Sequence, residues 1–77
     1  MVAAYILIDV SIDVDEPEAL AAIRQVPGVR QAHLVVGPND CIAYIEVDSH
    51  EKALETLRAL RAVRGVLRTD MRSAAEL

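Results

Sequence analysis

Arg24-Gln25-Val26-Pro27-Gly28-Val29 is followed 37 residues later by Arg61-Ala62-Val63-Arg64-Gly65-Val66, with the arginine, both valines and the glycine in the same places. The same shift lays Leu20 on Leu57, Ile23 on Leu60, Ile8 on Ile45 and Val10 on Val47. The quoted stretch is therefore the join of an internal repeat, and its proline and glycines mark where a helix stops and a strand begins.

Working outward, Ala4 to Ile12 is a nearly unbroken apolar, β-branched run that reads as a buried strand. Asp13, Asp15 and Glu16 before Pro17 put carboxylates and a first-turn proline where a helix N-terminus favours them. Ala19, Leu20, Ala22 and Ile23 recur at helical spacing up to Pro27-Gly28. The second strand is Val29 to Val36, the turn cluster is Gly37-Pro38-Asn39-Asp40, and the third strand is Cys41 to Val47. Ser49 is an N-cap for a helix carrying Ala53, Leu54, Leu57 and Leu60, which ends before Gly65. Val66 to about Met71 is the last strand, and Ser73 to Leu77 carry little signal. Gly28 and Gly65 are expected to end their helices in the left-handed conformation. The order βαββαβ with two matching βαβ halves predicts an α+β, ferredoxin-like sandwich: a four-stranded antiparallel sheet, first and third strands central, with both helices on one face.

A chain of 77 residues is expected to form a single domain over 1–77. At this size folding hides about 60% of the surface of the unfolded chain, and 53% of the residues are apolar, so the surplus points to self-association. A single cysteine, Cys41, forms no internal disulfide, which makes a reducing, cytoplasmic setting the expectation. The opening Met1 to Ile8 has no basic flank and meets Asp9 too soon for a signal peptide or membrane span. Eight basic against twelve acidic residues give a net charge of −4, and Tyr5 and Tyr44 are the only aromatics, which argues against direct nucleic-acid binding. Arg58, Arg61, Arg64, Arg68 and Arg72 read as a solvated face interleaved with Glu55 and Asp70.

Period-two alternation puts Ile6, Ile8 and Val10 on one face of the first strand and Tyr5 and Leu7 on the other. The third strand divides in the same way, with Ile42 and Tyr44 opposite Cys41, Ala43, Ile45 and Val47. Two helices cover one side of such a sheet. The second side, with Tyr5, Leu7, Ile42 and Tyr44, is the expected dimer interface; the alternative is an apolar substrate pocket, as in small dimeric α+β barrel enzymes. For an enzyme, that face offers the two tyrosines, with Asp9 and Glu46 at its margin.

Signals for chemistry are sparse. His33 and His50 lack the short spacing of a metal site, Cys41 reads as a small buried hydrophobe, and the acidic cluster from Asp13 to Glu18 reads as helix capping. No nucleotide loop or nucleophile elbow is present. No catalytic residue, metal or cofactor is implied. Gly37 to Asp40 stands out: a glycine bend can aim N–H groups at an anion while Asp40 supplies a carboxylate for a cation, which suits a zwitterion, although Asn and Asp in a plain hairpin turn bond their own backbone.

The opening strand Ala4 to Val10, the Val26-Pro27-Gly28-Val29 exit, the Gly37-x-x-Asp40 turn, Tyr44-Ile45-Glu46-Val47 and Gly65-Val66-x-x-Thr69 together resemble the effector-binding and assembly (RAM) domain of the Lrp/AsnC feast/famine transcription regulators. The resemblance spans roughly Ala4 to Arg72, with no sequence here for the DNA-binding helix-turn-helix of that family. It implies a stand-alone, non-enzymatic module that dimerises through its sheet, assembles into rings of dimers and binds an amino acid at the contacts between dimers. A full-length Lrp/AsnC regulator is an implied partner. Carried over, Gly37 lets the ligand approach the backbone, Asp40 accepts from its ammonium group, and Asn39 and Thr69 help line the site. Two positions depart from the family pattern: Val36 stands where a hydroxyl residue is frequent, and Asn39 where an aromatic is.

Overall fold

In the computed structural model, which describes residues 1–75, the elements are β1 (Val2–Val10), α1 (Glu16–Arg24), β2 (Val29–Leu34), β3 (Cys41–Val47), α2 (His50–Arg61) and β4 (Val66–Ser73). The strands form one antiparallel sheet in the order β2-β3-β1-β4, so β1 and β3 are central as the repeat predicts. Both helices pack on the same face, against Ile6, Ile8, Ala43 and Ile45, with Ile23 and Leu60 sealing the core. Each of these larger side chains, fully enclosed, contributes about 1.5–3 kcal/mol of burial.

Each helix starts where its cap residue lies. Asp15 accepts from the Glu18 N–H and Ser49 from the Lys52 N–H, each satisfying a first-turn donor that has no partner within the helix. The helix ends differ from expectation. Gln25 and Ala62 close α1 and α2 in right-handed geometry, and the glycines come three residues later, in the turns Val26–Val29 and Val63–Val66. Gly28 (φ 97°) and Gly65 (φ 92°) occupy the third position of these turns, where a positive φ is required. A Cβ on Gly65 would stand 2.5 Å from a Val14 methyl, so the turn also lies tight against the neighbouring loop.

The repeat explains its arginines. Arg24 donates from Nε and Nη2 to the Ala32 carbonyl (3.0 and 2.7 Å), and its counterpart Arg61 donates from Nε to Thr69 Oγ1 (2.9 Å). Ala32 and Thr69 are themselves 37 positions apart, so each half carries a helix-to-edge-strand clasp at the same place.

Strand limits shift at three points. β1 covers Val2 to Val10 rather than Ala4 to Ile12, because the chain turns at Ser11–Val14 and leaves Ile12 in solvent. β2 stops at Leu34 rather than Val36, since the Val35 N–H donates to the Asp40 carbonyl and closes the turn. β4 continues past Met71 to Ser73, and the Ala74 N–H donates to the Ala3 carbonyl. Of the Ser73 to Leu77 tail, Glu76 and Leu77 lie outside the described residues. No helix among the described residues is long and apolar enough to cross a membrane.

Candidate functional site

Two regions gather the residues singled out from the sequence. The first is the bare face of the sheet, where register places Tyr5 directly opposite Tyr44 and Leu7 opposite Ile42. The tyrosine rings lie 5.0 Å apart, tilted by 46°, a contact that adds about 0.5–1.5 kcal/mol. Tyr5 is 49% exposed, and no helix covers this block. Its margins are polar: His33 and Gln31 pair beside it on β2, and Asp70 and Arg72 on β4. Glu46 accepts from the Tyr44 hydroxyl (3.0 Å) and faces Arg30 Nε at 3.5 Å.

The second region is the end of the sheet where the turn after β2 meets β1 and β4. The Asp40 N–H donates to the Ile8 carbonyl (3.0 Å), continuing the β1–β3 ladder by one residue. Its Oδ2 accepts from the Val10 N–H (2.8 Å), two residues beyond the last β1–β3 pair, Ile8 with Cys41. The carboxylate thus supplies the acceptor that a strand-strand bond would supply in an unbroken ladder. Asn39 Nδ2 donates to Asp9 Oδ1 (3.0 Å), and Asp9 Oδ2 lies 3.2 Å from Arg68 Nη2. A polar chain therefore runs from the turn across β1 to β4.

Leu7, Asp9, Asn39, Arg68, Thr69 and Asp70 line a cavity of about 220 Å³ at this end. Asn39 and Thr69 both reach it. The Thr69 hydroxyl, however, accepts from Arg61 on the helix side, since its cross-strand partner is the buried Ile8. Gly37 (φ 151°) is exposed, with open space where a Cβ would stand. Leu7, Asp9, Arg68 and Asp70 join this end although the sequence does not mark them for it, and Asp9 and Arg68 carry its charge pair. The available signal for Asp9 was a lone carboxylate in the run Tyr5–Val10, on the same face as Tyr5 and Leu7. The arginines expected to form a solvated face are exposed, and three of them also have partners: Arg61 on Thr69, Arg68 on Asp9 and Arg72 on Asp70.

Cys41 is buried, and burial pushes its thiol pKa above the ordinary value, against a smaller opposing pull from Arg24. This protonated thiol is a packing group. No cluster of three or more potential metal ligands occurs among the described residues.

The connectivity, sheet order and one-sided helix layer define a ferredoxin-like α+β domain. The sequence profile of the Lrp/AsnC ligand binding domain matches residues 3–75, and the chain belongs to that family of ligand-binding regulatory modules. Among solved structures, it resembles TTHA0845 from Thermus thermophilus with a TM-score of 0.89 and 24% identity, over 100% of this chain and 96% of that one. E. coli AsnC gives a TM-score of 0.88 at 18% identity, over 99% of this chain and 52% of AsnC. The feast or famine regulatory protein Rv3291c from M. tuberculosis, complexed with L-methionine, gives 0.84 at 18% identity, over 100% of this chain and 52% of that one. The chain therefore spans about half the length of the last two structures and nearly all of the first. No curated protein matches in sequence.

Proposed function

We propose that this chain is a single-domain effector-binding and assembly module, which takes a free amino acid or similar small zwitterion and uses its bare sheet face to dimerise. The observation that carries the reading is the ligand-binding family match over residues 3–75; L-methionine bound to Rv3291c supports the ligand class. The proposed effector end comprises Gly37, Asn39, Asp40 and Thr69. The proposed interface is Tyr5, Leu7, Ile42 and Tyr44, an apolar centre with polar margins, as protein interfaces have. Dimers joined through their effector ends would build a larger assembly, and a full-length Lrp/AsnC regulator is the proposed partner. Such a module works in the cytoplasm by shifting an assembly equilibrium rather than by catalysis: a ligand that prefers one assembly populates it by its difference in affinity.

A second reading is a purely structural module, and one observation favours it: Asp40 Oδ2 and Asn39 Nδ2 already have partners within the chain. Thermal unfolding with each of the twenty standard amino acids at millimolar concentration separates the two. A ligand at a hundredfold its dissociation constant adds about 2.7 kcal/mol, a shift of several degrees or more for a domain of this size. A shift with one or a few amino acids is the expected result; none with any of them leaves assembly alone.

A further inference from the structure

The turn carboxylate implied by the family resemblance is bound to its own sheet. Asp40 Oδ2 satisfies the Val10 N–H at 2.8 Å, and the residue's N–H and carbonyl are both in backbone bonds, to Ile8 and Val35. Turning Oδ2 toward a ligand would strand a backbone donor beside the core, and Asp40 is not among the residues that line the 220 Å³ cavity.

Asp9 has the opposite situation. It projects from the bare face into the 220 Å³ cavity, next to a register slip of the kind that re-aims a side chain. Its side chain is only 20% exposed, held from the turn by Asn39 and from β4 by Arg68. A carboxylate offers about four lone-pair sites, so these two partners leave room for a further donor. Arg68 is 81% exposed and meets Asp9 through one nitrogen of its five-donor fork.

We infer that Asp9 and Arg68, rather than Asp40, receive the two charges of a free amino acid in this chain: Asp9 the α-ammonium, Arg68 the α-carboxylate. The inference rests on the effector-binding reading above and gives that site its recognition groups. The charges balance, because a neutral zwitterion entering a neutral ion pair replaces one pair by two. Opening a pair whose cation is this exposed costs little. Asn39 holds Asp9 in place throughout, which gives a job to the residue standing where the family frequently has an aromatic. Leu7 is the lone apolar lining side chain among six, so the site selects amino acids with short or polar side chains over aromatic or long aliphatic ones.

The test is calorimetric titration of the wild type, Asp9→Asn, Arg68→Gln and Asp40→Asn with the standard amino acid that gives the largest thermal shift, and with its N-acetyl and carboxamide derivatives. Asp9→Asn and Arg68→Gln should each weaken binding at least about tenfold, and Asp40→Asn should weaken it less than Asp9→Asn. N-acetylation should cost affinity in the wild type and add no further loss in Asp9→Asn; the carboxamide should behave in the same way with Arg68→Gln. That non-additivity reports direct contact, which a merely structural role would not produce. Should Asp9→Asn fail to fold, the exposed Arg68→Gln and the carboxamide carry the test. Loss of affinity in Asp40→Asn with Asp9→Asn unaffected overturns this inference alone. A ligand with a long aliphatic or aromatic side chain overturns its selectivity, and no binding by any amino acid overturns it together with the effector reading.

Discussion

On the helix side of the sheet Ile6, Ile8, Ala43 and Ile45 are fully enclosed, whereas on the other side their chain neighbours Tyr5, Leu7, Ile42 and Tyr44 are left without a covering layer. The two faces belong to the same two central strands and differ by one residue in phase. Side-chain type tracks the difference. Only small and β-branched residues lie under the helices at these positions, while the face proposed to meet a second copy adds to Leu7 and Ile42 two tyrosines, each with a polar tip and a large apolar body. A small domain with its apolar residues split between two faces completes one core by folding; the second face is the one proposed to pair with another copy.

If that division holds, substitutions on the two faces fail differently. Ile8→Ala removes a wholly buried side chain and should lower folding stability by about 2–5 kcal/mol in urea unfolding, the largest effect among the substitutions considered for the two faces. Gly65→Ala should cost about 2–3 kcal/mol, because φ 92° strains the new residue and its Cβ would meet Val14 at 2.5 Å. Gly37→Ala meets nothing within 4 Å, so only its φ of 151° opposes the change and it should cost less in the same measurement, which contrasts a turn packed on the core with one open to solvent. The smallest effect concerns Cys41 on the helix face. Its folded-state pKa is raised above the ordinary 9.0 by burial, so as pH rises past that value the unfolded chain loses its thiol proton first. The contribution of this group to stability should be complete below about pH 9 and decline above it. In Cys41→Ala that component of the pH dependence should vanish.

Much of this was legible in the sequence because it is local or periodic. The 37-residue repeat located both helix exits, period-two alternation separated the faces, and the acidic cluster from Asp13 to Glu18 and Ser49 marked the helix starts. Features governed by distant partners were not. Ile12 and Val36 look like strand residues by type, but turns held by Ser11–Val14 and Val35–Asp40 bonds put them in solvent. Gly28 and Gly65 read as helix ends because composition does not distinguish a cap from a turn three residues later. At the candidate site, the Asn39–Asp9 and Asp40–Val10 bonds each join residues 30 positions apart, across a strand pairing whose exact register only the folded chain supplies.

Whether a second copy covers the bare face is decided most directly by sedimentation equilibrium on the wild type and on Leu7→Asp, which puts a charge in the centre of that face while leaving the helix side intact. The chain mass is 8.4 kDa. The wild type should sediment at twice that mass or a higher even multiple, and Leu7→Asp as a folded monomer with native circular dichroism. A wild type that remains at the mass of one chain throughout the accessible concentration range, or a Leu7→Asp variant that assembles unchanged, would contradict the account.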